Sequence, residues 1–560
     1  MTGTPLVSPE ASAELDKEAS ASWGLNVFAL VEAAGRACAG AFTKALEVLP
    51  QNHKLRILVC AGPGNNGADA LVMLRALLTS GSPFCFSAAV LLSRYSAGET
   101  TAGNSTPGNL TAGTSTARSE ALKALEAMGI PLVTWHDEEQ AAELFREADI
   151  IIDGIAGTGI RGPLEGIPLA MVTALNRRRN TAQKSAGADC FVVSVDVPSG
   201  IFSIGPQEDA VYENTSALTV PIVRADYTLA IEPRKTILYT PLFRPYCGTI
   251  VPVTGIFPPP LLARYGEAEL LSWKEVSALI PPLPPETYKY RRGLVEIHAG
   301  SAGSAGAARI AAAGAAAAGA GLVRLIADDD IYPVLAASAG AVMVVPASRA
   351  AGMPGRFKPD LMLLGPGWGR EGRLPIVQKA LEAEQNGIPA SAKAGIPLIL
   401  DADALALLRD SRPVFNGKTI LTPHAGELEN LSGIPRQKLL AAPALIASLA
   451  KEFNAVILFK SHVMIIADPG GRLGYIDGMD PSLGAGGSGD LLAGFCAGIG
   501  ARIKAEERIF DPYIIAAAAG TLLVAASRKA GRRFYDPLEL ANFAAALAGE
   551  AWLTKKVCHE

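Results

Sequence analysis

The sequence predicts an α/β protein of two three-layer domains, and three observations predict it. Short runs rich in Val, Ile and Leu alternate with Ala- and Leu-rich helical runs, the pattern of helices layered on a mostly parallel sheet. Most strand-like runs end in glycine, aspartate or a Thr-Pro or Pro-Ser turn, and in parallel sheets ligands collect at the carboxyl ends of strands. Proline is densest at 252–260 (PVTGIFPPP) and 281–285 (PPLPP), where fixed φ and missing N–H groups block both helix and ladder. The expected division is a first domain over 1–255, a proline-rich connector over 256–285 and a second domain over 286–560.

The first half opens on a helical stretch, 10–47. LRILVC (55–60) reads as a strand, AGPGNNGADA as a turn and LVMLRALL (71–78) as the helix after it. Further strands are FCFSAAVLL (84–92), ADIIID (148–153) and FVVSVDV (191–197). Residues 96–118 are low-complexity Ser/Thr/Gly and read as a flexible surface insertion. The second half offers GLVEIHAG (293–300), GLVRLIA (321–327), LMLLG (361–365), PLILDA (397–402), TILTP (419–423) and AVILFK (455–460) as strands. The Ala-rich run 307–320 reads as a helix packed closely on its sheet.

Composition narrows the class of function. Of 560 residues, 49% are hydrophobic and 19% charged, enough for packed cores and incompatible with a disordered chain. A net charge of −4 gives no electrostatic footprint for nucleic acid or an anionic membrane. Seven scattered cysteines without a CxxC pair read as reduced thiols. The first twenty residues carry no basic segment followed by an apolar one. The charge-free stretches 76–93, 245–263 and 331–348 are each interrupted by Pro, Gly or Ser. The expectation is a cytoplasmic protein with neither membrane nor nucleic acid as partner. An apolar Ala-rich face suits a homo-oligomer, a tetramer being one form.

Three strand ends in the first half each deliver an acid or amide into a glycine-rich turn. Gly62, Gly64 and Gly67 match G-x-G-x-x-G, a weak signal alone. Asn65, Asn66 and Asp69 add amide and carboxylate oxygens, which suit a hard monovalent cation, a ribose or an amide. On this loop alone, a plain αL turn before a helix is an equal reading. IIDGIAGTGIRGPL (151–164) and SVDVPSGI (194–201) repeat the strand–acid–glycine pattern. Any one of these acids reads best as a helix cap, whereas three converging carboxylates imply ligands.

AGPGNNGAD (61–69), IIDGIAGTGIRG (151–162) and VDVPSG (195–200), after LVEAAG (30–35), resemble the NAD(P)H-hydrate epimerase domain, a Rossmann-like fold, over about 8–250. The resemblance implies that Asn65, Asn66, Gly67, Ala68 and Asp69 contact a hydrated nicotinamide dinucleotide. It implies that Asn66, Asp153 and Ser199 ligate a potassium ion (K+). The loop Gly157, Thr158, Gly159, Ile160, Arg161, Gly162 and Pro163 would hold phosphate or ribose, and Asp196 would face the reacting ring as its proton shuttle. Ala68 replaces a second glycine of the family pattern, and its Cβ fits where φ is negative.

In the second half, LGAGGSGDLLAGF (483–495) runs glycines into a helix, so several N–H groups and the helix dipole converge on an anion hole. Asp490 would repel a phosphate there, and general-base catalysis explains it better than a helix-terminal acid worth under about 1 kcal/mol. This motif, with 299–323, LGPGWG (364–369), LDADAL (400–405) and LTPHAGEL (421–428), resembles the ribokinase-like, ADP- or ATP-dependent NAD(P)H-hydrate dehydratase over about 286–560. The fused order resembles the bifunctional NAD(P)H-hydrate repair enzymes of bacteria, whose substrates are NADHX, NADPHX and ADP.

The resemblance implies that Ala307, Gly367, His424 and Asp490 contact the hydrate. Gly489 and the stretch Lys460, Ser461, His462, Val463 and Met464 would contact adenosine nucleotide, whose phosphates Mg2+ would bridge. Asp401 and Asp403 are equally readable as acids steering magnesium or nucleotide and as caps of the next helix. Two other functions stay open: a kinase of a small hydroxylated metabolite with a non-catalytic, nucleotide-holding first half, and a binding or scaffold protein.

Overall fold

The computed structural model describes residues 3–46, 55–79, 86–93, 112–136, 138–184, 190–204, 221–350, 358–385, 395–531 and 533–553. The chain forms two compact units, one of Pro5–Glu267 and one of Met1–Thr4 with Ala268–Glu560. In chain order the strands are β1 (Thr4–Leu6), β2 (Leu55–Ala61), β3 (Phe86–Leu92), β4 (Leu132–Thr134), β5 (Ile150–Gly154), β6 (Phe191–Val195), β7 (Tyr227–Ile231), β8 (Thr249–Val253), β9 (Ala268–Leu270) and β10 (Leu294–His298). They continue with β11 (Leu322–Ala327), β12 (Met343–Pro346), β13 (Leu361–Leu364), β14 (Leu398–Leu400), β15 (Ile420–Leu421), β16 (Val456–Phe459), β17 (Val463–Ala467) and β18 (Leu473–Asp477).

The unit of 5–267 holds a seven-stranded sheet, order β4-β3-β2-β5-β6-β7-β8, parallel throughout. β2 shows why it has three layers. Ile57, Val59 and Ala61 enter one core with the helices Val27–Leu46 and Asn65–Thr79. The alternating Leu58 and Cys60 enter a second core with the helices Glu138–Glu147 and Gly166–Lys184. The strand order reverses between β2 and β5, so a crevice opens beyond their carboxyl ends.

The larger unit is built on an eleven-stranded sheet, order β1-β9-β18-β17-β16-β15-β14-β13-β10-β11-β12. The run from β16 to β12 is parallel, while β16–β17 and β17–β18 are antiparallel. Here the order reverses between β10 and β13. The Ala-rich helix Ala305–Ala317 crosses the helix Ser488–Ala505 almost backbone to backbone. A Cβ on Gly494 would lie 2.3 Å from the Ala311 carbonyl oxygen, and one on Gly498 2.2 Å from that of Ala315. The expected close-packed helix is real, and its nearest partner is another helix. The helix Pro512–Ala530 is long and apolar enough to cross a membrane, and 72% of its most apolar window is buried inside this unit.

Several expectations need correction. Residues 96–111 lie outside the described residues, but 112–118 form the first turns of the helix Ala112–Ala127. The helical stretch 10–47 is two helices, Pro9–Ser22 and Val27–Leu46, parted at Trp23 and Gly24, where Gly24 has φ 71°. Residues 256–285 carry a short helix Pro259–Leu262, β9 and the helix Trp273–Ser277, more structure than a connector needs. Within 460–464 the strand begins only at Val463; Lys460 makes an isolated bridge to His424, and Ser461 and His462 form a bend.

Candidate active sites

In the unit of 5–267, the loop after β2 and the loop after β5 meet at the crevice. A Cβ on Gly62 would stand 1.8 Å from the Ile155 carbonyl oxygen, and one on Gly67 2.1 Å from that of Gly62. Those glycines are therefore fixed by close backbone approach. Asn65, Asn66, Gly67, Ala68 and Asp69 form the first turn of the helix Asn65–Thr79, and all but Asn65 are buried. Ala68 is helical and fully buried, so its side chain is accommodated where the family pattern has glycine.

Asn66, Asp153 and Ser199 come together as expected of a set. Asn66 Nδ2 donates to the Ala156 carbonyl at 3.0 Å, and Ser199 Oγ donates to Asp153 Oδ1 at 2.5 Å and lies 3.0 Å from that same carbonyl oxygen. Asp153 Oδ2 accepts from Ser194 Oγ at 2.8 Å and from the Ser199 N–H at 2.9 Å. Burial pushes the Asp153 carboxyl up, and the Ser199 and Ser194 donors pull it back. Asn66 Oδ1 is buried without a partner. The loop Gly157, Thr158, Gly159, Ile160, Arg161, Gly162 and Pro163 runs from β5 toward the helix Gly166–Lys184, with Gly162 at φ 92°. A Cβ on Gly157 would lie 3.2 Å from that of Asn66.

Asp196 follows β6 at φ 63°, a conformation a non-glycine residue seldom adopts. Its Oδ1 accepts from Lys235 Nζ at 2.7 Å. Sequence reasoning missed this lysine, because IEPRK (231–235) follows β7, a strand it did not read. It also missed Asp16, on the helix Pro9–Ser22, whose carboxyl is pushed to about 6 by burial and by Asp196, against Lys235.

In the larger unit, the loops after β10 and β13 converge. Gly367 has φ 55°, and a Cβ there would stand 2.8 Å from that of Ala307 and 2.9 Å from that of Ser304. Ser301 Oγ donates to the Gly367 carbonyl at 2.9 Å, and Asp403 Oδ2 accepts from the Gly369 N–H at 2.9 Å. Asp403 thus steadies the Gly367 loop. Asp401 occupies an N-cap position without a side-chain cap bond and faces Lys460 and Thr422 instead.

Around the glycine run, Gly487 at φ 96° caps the helix Ser488–Ala505, whose third residue is Asp490. Lys460 Nζ lies 2.6 Å from Asp401 Oδ1, 3.6 Å from Glu427 Oε2 and 3.5 Å from where a Gly489 Cβ would stand. Burial pushes the Asp490 carboxyl up to about 6, with Asp401 and Glu427 adding to the rise and Lys460 opposing it. Burial pushes Lys460 down, but Asp401 and Glu427 outweigh it and the ammonium ends above its ordinary range. His424 Nδ1 accepts from the Gly426 and Glu427 N–H groups as the cap of the helix Ala425–Ser432, leaving only Nε2 for a ligand, 3.2 Å from Glu427 Oε1. Ser461, His462, Val463 and Met464 follow Lys460 into β17; Val463 and Met464 are buried, and Ser461 Oγ accepts from the Val463 N–H at 3.2 Å.

These features define a two-unit α/β enzyme with one strand-end site in each unit. The comparisons agree with that division. Residues 295–543 match the family described as NAD(P)H-hydrate dehydratase, and 27–236 match that described as YjeF-related protein N-terminus. The protein called bifunctional NAD(P)H-hydrate repair enzyme Nnr in Coxiella burnetii is 28% identical over 494 residues, covering 87% of this chain and 88% of its own. Its namesake in Thermofilum pendens is 28% identical over 551 residues, covering 94% and 93%. Among solved structures, the ADP/ATP-dependent NAD(P)H-hydrate dehydratase of Bacillus subtilis, co-crystallised with ATP and Mg2+, is 23% identical with a TM-score of 0.42, covering 50% of this chain and 97% of its own. A ribokinase-like superfamily protein of Enterococcus faecalis is 23% identical with a TM-score of 0.44, covering 51% and 98%. The first unit thus carries a domain of the YjeF-related N-terminal family and the larger unit one of the NAD(P)H-hydrate dehydratase family, and the chain is similar along most of its length to bifunctional NAD(P)H-hydrate repair enzymes.

Proposed function

We infer that the chain repairs hydrated NADH and NADPH: its first unit interconverts the R and S hydrates, and its second dehydrates the S form at the expense of ADP or ATP. The observation that carries this reading is Asp490, an acid held near neutrality at a helix N-terminus beside Lys460 and Gly489. A carboxylate there takes the proton of the hydrate hydroxyl while the helix amides and Lys460 neutralise the incoming phosphoryl group. Phosphate then leaves in place of hydroxide, a far poorer leaving group, and loss of a ring proton restores the double bond.

Ala307 and Gly367 pack closely on each other and would border the hydrate at the β10/β13 crevice, and His424 Nε2 is its remaining ring donor. Gly489 and the stretch Lys460, Ser461, His462, Val463 and Met464 would border the nucleotide. Among the described residues no group of three or more His, Cys, Asp or Glu could hold a metal ion, so magnesium would be held mainly by the nucleotide phosphates. In the first unit, Asn66 Oδ1, Ser199 Oγ, Asp153 and the Ala156 carbonyl offer oxygen donors that fit potassium, the orphaned amide oxygen being the argument for it. Such an ion supplies fixed positive charge beside Asp153. The cytoplasm, where the coenzymes are used, is the proposed location, and a homo-oligomer the proposed assembly.

The test is one assay. The full chain is mixed with R and S NADH hydrate and ADP or ATP, and NADH absorbance is followed. Complete recovery supports both activities. Recovery of the S fraction alone, at the spontaneous epimerisation rate for the rest, refutes the first unit's role. No recovery, with phosphorylation of a vitamin-like alcohol, favours a kinase.

A further inference from the structure

Behind Asp196 lies a set of ionisable groups that the reading above does not use. Lys235 is 4% exposed, and its ammonium donates to Asp196 Oδ1 at 2.7 Å and to the Ile231 carbonyl at 3.0 Å. The residue's backbone is held in turn, since Lys235 makes a parallel bridge to Val7, the Val7 N–H donates to the Arg234 carbonyl and the Thr236 N–H to that of Val7. Asp69 is 8% exposed, with Oδ1 buried and without a partner. Burial first, then the charges of Asp196 and Asp16, push the Asp69 carboxyl well up, with Lys235 opposing. Asp16, on the helix Pro9–Ser22, is shifted the same way by burial and Asp196. The Cys38 thiol, on the helix Val27–Leu46, is pushed well up by burial and by Asp69 and Asp196, and is no acid here. Asp196 is thus held by the Lys235 ammonium, while the buried Asp69 has no partner at Oδ1.

We propose that Lys235 is a positioning residue that holds Asp196 as the base in its left-handed setting, with Asp69, buried and unpartnered at Oδ1, as the acid, so that the pair works as base and acid of the epimerisation. This rests on the epimerase reading of the unit. Water added across an enamine double bond places the hydroxyl on the carbon next to the ring nitrogen. Asp69 gives its proton to that hydroxyl, the C–O bond breaks, water leaves and the nitrogen lone pair forms a C=N bond. Water then adds to the opposite face and its proton goes to Asp196, the C=N electrons returning to nitrogen. Transfer of that proton from Asp196 back to Asp69 restores the starting state, and no electrons are gained or lost.

The experiment follows R NADH hydrate turning into the S form by chromatography, with the full chain and no nucleotide, across a range of pH. A wild-type chain no faster than buffer sinks the epimerase reading itself. Given wild-type activity, Lys235→Gln is expected to lose about 30-fold in kcat with KM within about threefold, and both limbs of its pH profile move up by about one unit. Lys235→Arg keeps the limbs in place, because the charge remains. Unmoved limbs in Lys235→Gln, or a loss confined to KM, overturn the proposal. Should Lys235→Gln fail to fold, Asp69→Asn decides. It keeps the shape and removes the stored proton, so loss of the alkaline limb supports the assignment and an intact alkaline limb overturns it.

Discussion

Lys460 and Asp401 form an ion pair, Nζ to Oδ1 2.6 Å, with the carboxylate 1% exposed. The pair spans the ends of β16 and β14, on either side of β15, and brings the ammonium beside Gly489 at the start of the helix Ser488–Ala505. Removing only the cation leaves a buried carboxylate uncompensated, which is costlier than losing the pair. Lys460→Met is therefore expected to raise the nucleotide KM about tenfold and move the acid limb of dehydration to higher pH. Steady-state rates against pH with saturating S hydrate check this; an unmoved limb counts against Lys460 as the neighbour that tunes Asp490.

As the proposed base, Asp490 would have to lose its proton to act. Its carboxyl is pushed up to about 6, so dehydration is expected to be weak well below that pH and to rise through it. Asp490→Asn should lower kcat by at least about 1,000-fold while nucleotide binding, followed by calorimetry, stays measurable. Near-normal turnover in that variant removes Asp490 from the mechanism.

The crossing of the helices Ala305–Ala317 and Ser488–Ala505 leaves no room for a methyl group. In Gly498→Ala the new Cβ would lie 2.2 Å from the Ala315 carbonyl oxygen, so the helices must separate. A loss of about 2–4 kcal/mol is expected by urea unfolding of this unit. Dehydration should fall with it, because Ala307 and Asp490 lie on these two helices.

Ala68 invites the opposite experiment. Restoring the family's glycine in Ala68→Gly is expected to cost about 1 kcal/mol of stability, since the residue is helical and buried. Epimerisation should stay near wild type. A large gain in rate would show that the Ala68 methyl group obstructs the substrate.

Asp16 links stability to pH. Its folded-state carboxyl sits at about 6, above its ordinary value. Both folded and unfolded chains hold the proton at low pH. As pH rises toward 6 the unfolded chain loses it first, so stability falls across that window and the penalty is constant above it. Asp16→Asn should remove this pH dependence and stabilise the first unit at neutral pH by on the order of 1–2 kcal/mol. Thermal unfolding of both proteins at several pH values measures it.

How far the sequence was legible follows from how local each signal is. The strand–glycine–helix turns at 61–69, 151–162 and 483–495 carry their geometry in consecutive residues, and they mark both sites. β12 escaped as a short strand at the sheet edge, and β17 and β18 as an antiparallel pair outside the parallel strand–helix alternation. Lys235 and Asp16 escaped for another reason: neither neighbours a turn motif, and each gains meaning only when the sheet brings it to Asp196. His424 shows the converse, since the motif around it was plain while the use of Nδ1 as a helix cap depends on backbone geometry.

The parallel bridge between Val7 and Lys235 ties the seventh residue of the chain to the cation beside Asp196. A change that breaks this bridge therefore reaches Asp196 through the backbone of Lys235.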